Sequence, residues 1–369
     1  MEIENIVRKT IIDLKPYTPG KPIEEVKREL GLDEVFKLAS NENPVGPSPK
    51  AIGAINTVLN NLNRYPDASC FYLKEKLAKF WKLDIDNFII GNGSDEIIAL
   101  TLKAFLNPGE EVIISNPTFL MYEILAKIEG AVLKVVAMKN FRYDLDAIKK
   151  SITDRTKIIF IANPDNPCGT YVNKKEVEDF VKGISKEIVL FFDEAYYEFM
   201  DVVDYPDTVS FINERPCVVS RTFSKVYGLA GLRVGYGIAT PEVIQCLGKV
   251  KDPFNVNSLA QAAALSALDD QDFVQGVVRL TKNGREYLFK EFKRMDIEYI
   301  ESYTNCILVK IGDKSGELCE YLLKNGIIIR NMAAWGLYDY IRVSIGLENE
   351  NEKLIVLIEE FLKKEEKEK

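Results

Sequence analysis

Lys225 lies in the stretch SRTFSKVYGLAGLRVGYG, among hydroxyl side chains and ahead of a Gly-rich run that delivers Arg233 eight residues later. Asp193 closes the apolar run IVLFFD, so a carboxylate rides at the end of what reads as a buried strand. Asn166 sits in the Pro/Asn-rich turn NPDNPCGT after IIFIA, and GNGSDE, with Ser94 and Asp95, follows the strand-like FII and opens a helical stretch. Arg221, Thr222 and Ser224 follow the run CVVS. Taken singly, each has a plain explanation as a cap, a turn or a solvated charge. Together they place polar groups at five strand ends, where open α/β sheets form their ligand crevices.

Two of these elements suit a phosphate. A helix N-terminus offers unpaired backbone N–H groups and a positive dipole end, and Thr222, Ser224 and Arg233 add hydroxyls and a permanent cation. Nucleotide motifs do not fit: the GxxxxGK loop is absent and GNG lacks the third glycine of the dinucleotide fingerprint. A lysine amine among phosphate-binding groups, with a strand-end carboxylate, fits pyridoxal phosphate instead. The amine can form a Schiff base with the aldehyde, and the anion keeps the pyridine nitrogen protonated, which makes the ring an electron sink.

Composition narrows the choice. The chain has 369 residues, 48 Lys and Arg against 56 Asp and Glu, a net charge of −8 and no histidine. Ser-His-Asp and Cys-His catalysis and His-ligated zinc are thereby excluded, and no metal site is expected. The acidic balance argues against nucleic acid or an anionic membrane as partner. The six cysteines show no CxxC spacing and read as reduced thiols of a cytoplasmic protein. The N-terminal MEIENIVRKT does not read as a signal peptide. Apolar runs stop at about five residues, where a membrane span needs about 20.

These residues require elements to carry them. Short β-branched runs at 88–90, 112–115, 132–136, 158–162, 188–193, 217–221 and 234–238 alternate with helical spacing around 94–106, 118–129 and 174–184. That alternation predicts crossover units and a mostly parallel seven-stranded sheet flanked by helices, an α/β architecture. Beyond about residue 250, a long helical region at 257–295 leads to strands near 307, 327 and 340 and a last helix from 350. The expected division is an N-terminal arm over 1–30, a large cofactor-binding domain over 31–255 and a smaller α+β domain over 256–369.

The chain resembles the fold-type I, aspartate aminotransferase-like pyridoxal-phosphate enzymes, and within them the histidinol-phosphate aminotransferases. The resemblance runs from PYTPGKP to IRVSIG and rests on KLASNENPVGPSP, NRYPD, GNGSDE, NPDNPCGT, DEAYYEF, the Lys225 block and RNMAAWGLYDYIRVSIG. It implies Lys225 as the Schiff-base lysine and proton carrier, and Asp193 as partner of the pyridine nitrogen. Tyr196 and Asn166 would bond the ring's phenolic oxygen. Phe119, where many relatives carry Tyr, would stack on the ring. The phosphate would meet Ser94, Asp95, Thr222, Ser224 and Arg233, with Tyr65 reaching it from a second subunit of a homodimer with shared active sites.

For substrate, Arg342 and Arg330 would bind carboxylate or phosphate, with Asn41 and Tyr17 lining the same pocket and the arm acting as a lid. The implied reaction is transamination of histidinol phosphate with 2-oxoglutarate to imidazole-acetol phosphate and glutamate, in histidine biosynthesis. A broad-specificity aromatic amino-acid aminotransferase and a phosphothreonine decarboxylase remain open alternatives on the same scaffold. A non-catalytic regulator is disfavoured, because the arm is too short for a DNA-binding domain.

Overall fold

The computed structural model describes residues 3–367. Two sheets organise them. The strands are β1 (Phe36–Leu38), β2 (Phe88–Gly91), β3 (Glu111–Asn116), β4 (Val132–Ala137), β5 (Thr156–Ala162), β6 (Val189–Asp193), β7 (Cys217–Thr222), β8 (Gly235–Ile238), β9 (Cys306–Lys310), β10 (Ile327–Asn331) and β11 (Tyr340–Ser344).

The larger sheet has the order β2-β8-β7-β6-β5-β3-β4. Its strands pair in parallel except at β8, which runs antiparallel to both neighbours. The central strands are apolar on both faces because helices cover both: Ile158–Ile161 and Leu190–Phe192 are fully buried. The reversal at β8 matters for the site. It brings the start of that strand, and Arg233 just before it, to the edge where β6 and β7 end.

The helix Ser94–Phe105 lies close against β8. A Cβ on Gly235 would stand 2.6 Å from the Ser94 nitrogen, and one on Gly237 would stand 2.9 Å from Ile97 Cγ2. Glycine at these two positions lets the helix N-terminus sit directly on the sheet edge.

The smaller sheet has the order β1-β10-β11-β9, with β1 parallel to β10 and the other pairs antiparallel. Leu38 is buried in a second core with Leu288, Phe292, Val343 and Ile358. This departs from the expected division in two places. β1 belongs to the small sheet although it precedes the large one in the chain, and Ala260–Val277 packs into the core of the large sheet. A three-residue strand carries too little periodicity to be seen in sequence, and the helical stretch at 257–295 breaks into Ser258–Ala267 and Gln271–Arg294, the second of which runs from the large core at Val274 and Val277 to the small one at Leu288 and Phe292.

The segment read as an arm has structure of its own. Residues Ile23–Leu30 form a helix with Val26 buried, ended by Gly31 in the left-handed conformation. The preceding segment is tethered by Arg8, which donates to the Ile128 carbonyl at 2.8 Å. Among the described residues, no helix is long and apolar enough to cross a membrane.

Candidate active site

The C-terminal edge of the larger sheet opens into a cleft of about 570 Å³, its mouth included, lined by Ser94, Asp95, Phe119, Asn166, Asp193, Tyr196, Thr222, Ser224, Lys225 and Arg233. Ten residues singled out from the sequence therefore share one cavity.

One end of the cleft is built for a dianion. The helix Ser94–Phe105 has Gly93 at its N-cap and no side chain bonding its first-turn N–H groups. Thr222 Oγ1 accepts from the Ser224 backbone N–H at 3.0 Å, and Ser224 Oγ accepts from Arg233 Nη1 at 3.5 Å. Both hydroxyl protons stay free to donate. Arg233 adopts a left-handed φ of 54° and also reaches Asp95 Oδ2 at 3.2 Å. Gly93 is required here because its backbone, at a φ of 82°, is one that a residue with a side chain would strain to adopt.

The other end is a carboxylate facing an amine. Asp193 is only 5% exposed. Its Oδ2 accepts from Tyr122 Oη at 2.6 Å and its Oδ1 from the Ala195 N–H at 3.1 Å. Burial pushes its pKa up to about 6, against the pull of these two donors. Lys225 is half-buried and lies 5.5 Å above the Tyr196 ring. Burial, then the Arg342 charge, lowers its amine to about 8. Deprotonated lysine is therefore accessible near neutral pH, as a nucleophilic amine requires.

These residues fit pyridoxal phosphate on the chemistry of the donors alone. A buried carboxylate without an ion pair among the described residues wants a cationic ring nitrogen, an uncapped helix end with two hydroxyls and an arginine wants a phosphate, and an amine of lowered pKa between them wants an aldehyde.

Across the cleft stands the small sheet. Arg342 on β11 is 4% exposed and Arg330 on β10 is 9% exposed, directly opposite each other in the ladder. Arg342 donates to Asn166 Oδ1 at 2.5 Å and to the Ala39 carbonyl at 2.7 Å. Arg330 donates to the Thr18 carbonyl at 2.7 Å and lies 5.5 Å over the Tyr17 ring. Neither guanidinium meets a carboxylate among the described residues, and each keeps a buried Nε without a partner. Asn41, in a left-handed conformation, donates to Tyr196 Oη at 2.9 Å and is gripped through its N–H and Oδ1 by Ser344.

Tyr65, expected to reach the phosphate of a second subunit, is 82% exposed and stacks on Phe254 at 4.6 Å, outside the cleft of its own chain. One expectation parts from the structure. Arg221, read as a strand-end group, points to the opposite face of β7 from Thr222. It forms a buried pair with Glu194 at 2.6 Å between the rings of Trp81 and Tyr197. Side-chain alternation along a strand separates the two neighbours.

Sequence reasoning missed Tyr122, Thr118 and Trp335. Tyr122 is the second residue of the helix Met121–Ile128, three residues past Phe119, with no local feature to mark it. Trp335 lies inside a block singled out above, but its Nε1–H bonds the Thr118 carbonyl at 2.7 Å across the cleft, a contact only folding creates.

A two-sheet α/β fold with an amine, a buried carboxylate and an anion-binding helix end at one sheet edge is the arrangement that a pyridoxal-phosphate enzyme needs. The model of the family "Aminotransferase class I and II" matches residues 33–358, and the chain belongs to that family. Within it, the chain is similar to curated proteins named histidinol-phosphate aminotransferase. One from Caldicellulosiruptor saccharolyticus is 44% identical over 356 residues, covering 96% of this chain and 99% of that one. One from Moorella thermoacetica is 42% identical over 357 residues, covering 96% and 92%.

Among solved structures, a histidinol-phosphate aminotransferase from Sinorhizobium meliloti in complex with pyridoxal-5'-phosphate aligns with a TM-score of 0.87 at 27% identity, covering 95% of each chain. A Thermus thermophilus aspartate aminotransferase shares the fold, with a TM-score of 0.83 at 20% identity over 95% of this chain and 98% of that one.

Proposed function

We propose that this chain is a pyridoxal-phosphate enzyme that transfers the amino group of histidinol phosphate to 2-oxoglutarate, giving imidazole-acetol phosphate and glutamate, in histidine biosynthesis. The observation that carries the substrate reading is the Arg330–Arg342 pair: two adjacent buried guanidiniums without a carboxylate, facing the Lys225 cleft. Such a pair suits a phosphate in one half-reaction and a distal carboxylate in the other, since guanidinium forks match both anions.

The cofactor supplies an electron sink for the bond broken at the nitrogen-bearing carbon. The chain's residues do the rest. Asp193, held by Tyr122, would keep the ring nitrogen protonated. Tyr196 and Asn166 would donate to the ring's phenolic oxygen, and Phe119 would cover a ring face. The Ser94 and Asp95 backbone, Thr222, Ser224 and Arg233 would anchor the phosphate. Lys225 Nζ would hold the cofactor and would carry the proton to and from the substrate carbon. Asn41 orients Tyr196, Tyr17 lies under Arg330, and the arm closes the pocket against water.

The working unit in this reading is a cytoplasmic homodimer. Support comes from two exposed aromatic pairs, Tyr65 with Phe254 and Phe71 with Tyr72, large apolar side chains of the kind that mark interaction surfaces. A second subunit seated there would bring the partner subunit's Tyr65 to this chain's phosphate cradle.

Steady-state rates with histidinol phosphate, phenylalanine and phosphothreonine test the assignment. The expected outcome is the highest kcat/KM with histidinol phosphate and imidazole-acetol phosphate as product. A rate no better than that with phenylalanine, or carbon dioxide release from phosphothreonine, would overturn it.

A further inference from the structure

Arg330 and Arg342 face each other across an antiparallel ladder, a placement that like charges normally destabilise. No carboxylate of the described residues neutralises either one, yet both are buried. The group they share is Trp335. Its ring lies 5.2 Å from the Arg330 guanidinium carbon and 5.9 Å from that of Arg342, within the range of cation–π attraction. The indole is 4% exposed, set on the short turn Ala333–Trp335 and ended by Gly336 at a φ of 74°. Its Nε1–H is spent on the Thr118 carbonyl, next to Phe119.

We propose that Trp335 is the positioning residue of the substrate-anion site: its ring face holds both guanidiniums side by side without neutralising them, and its N–H locks that arrangement to the loop carrying Phe119. A carboxylate in this place would pair with the arginines and compete with the substrate's anion. An aromatic face attracts the cations while leaving their N–H donors free. The inference rests on the reading that these arginines receive the substrate's phosphate or carboxylate.

The test uses the holoenzyme and 2-oxoglutarate, whose binding can be followed by calorimetry when no amino donor is present. Trp335→Leu removes ring and N–H; Trp335→Phe keeps a ring face and loses the N–H. The expected result for Trp335→Leu is a roughly tenfold weaker dissociation constant for 2-oxoglutarate and a similar rise in KM for histidinol phosphate, with kcat within about threefold of the parent. Trp335→Phe should fall between the two. A dissociation constant within twofold of the parent in Trp335→Leu overturns the proposal, and so do equal losses in both variants, which would assign the effect to packing.

A second measurement needs no substitution at the site. The chain has two tryptophans, and the other, Trp81, packs on Arg221 away from the cleft. In Trp81→Phe, saturating 2-oxoglutarate should change Trp335 emission; an unchanged spectrum at saturation overturns the proposal. Should the parent bind no 2-oxoglutarate and turn over no histidinol phosphate, the functional reading falls and this inference with it. If the parent does both and the variants match it, only the role of Trp335 falls.

Discussion

Tyr122 Oη donates a 2.6 Å hydrogen bond to Asp193 Oδ2, and both groups are buried beneath the cleft. The Tyr122 ring is itself held, stacked on Phe160 at 4.8 Å and 10°. The donor is thus aimed at the carboxylate before any ligand arrives. It favours the charged form of Asp193 against the burial that opposes it.

Tyr122→Phe should keep the fold, because the ring stack survives, while Asp193 loses a donor worth about 1.5–3 kcal/mol for a bond to a charged group. Equilibrium titration of the apoenzyme should show pyridoxal phosphate bound about 10- to 100-fold more weakly. Unchanged affinity would mean that Asp193 does not depend on this contact.

The raised pKa of Asp193 predicts a pH dependence of the apoenzyme. A carboxylate whose folded pKa lies above its unfolded one contributes stability that is present at low pH and lost as pH rises through the folded value, here about 6. The wild-type apoenzyme should lose stability between about pH 4 and 6 relative to Asp193→Asn, as read from denaturant midpoints across pH. Parallel profiles would remove the assigned pKa.

Lys225→Ala should still bind the cofactor through the phosphate cradle but lose turnover by several decades. Borohydride treatment of the wild type should fix the cofactor to one peptide, the one containing Lys225. The reaction of apoenzyme with the aldehyde should accelerate as pH rises through about 8, and Arg342→Ala should move that midpoint upward, since the Arg342 charge helps to lower it. A midpoint that stays put in Arg342→Ala would separate the two side chains electrostatically.

The buried Arg221–Glu194 pair predicts the opposite behaviour from Arg330 and Arg342. Arg221→Met leaves Glu194 in the interior with only Thr208 at 2.6 Å and Tyr205 at 3.3 Å to satisfy it. Loss of one partner of such a pair costs about 3–5 kcal/mol, measurable by urea unfolding. Arg342→Ala, which abandons no carboxylate, should raise KM for both substrates with a much smaller loss of stability.

Subunits carrying Tyr65→Phe mixed with subunits carrying Lys225→Ala should regain part of the activity as hybrid dimers, if the partner subunit's Tyr65 completes each site. No recovery with subunit exchange demonstrated would place Tyr65 outside the cofactor site.

The gathering of these residues in one cleft was legible in the sequence because each lies within a few residues of a strand end. Once 188–193 and 217–221 are read as parallel strands, Asp193 and Thr222 must come out at the same edge, and Lys225 and Arg233 follow by chain connectivity. Alternating apolar and helical spacing determined that much, through backbone hydrogen bonding and burial on both faces of the sheet. Tertiary structure alone decided the rest. Whether Arg221 faced the cleft or the core turned on strand alternation at a boundary uncertain by one residue. β1 joined a sheet whose other strands come nearly three hundred residues later, and Tyr122 met Asp193 only because the helix after β3 lays the Tyr122 ring on Phe160 of β5. Trp335 met Thr118 only because the two sheets close on one another. Such contacts depend on packing between distant segments, which local periodicity does not encode.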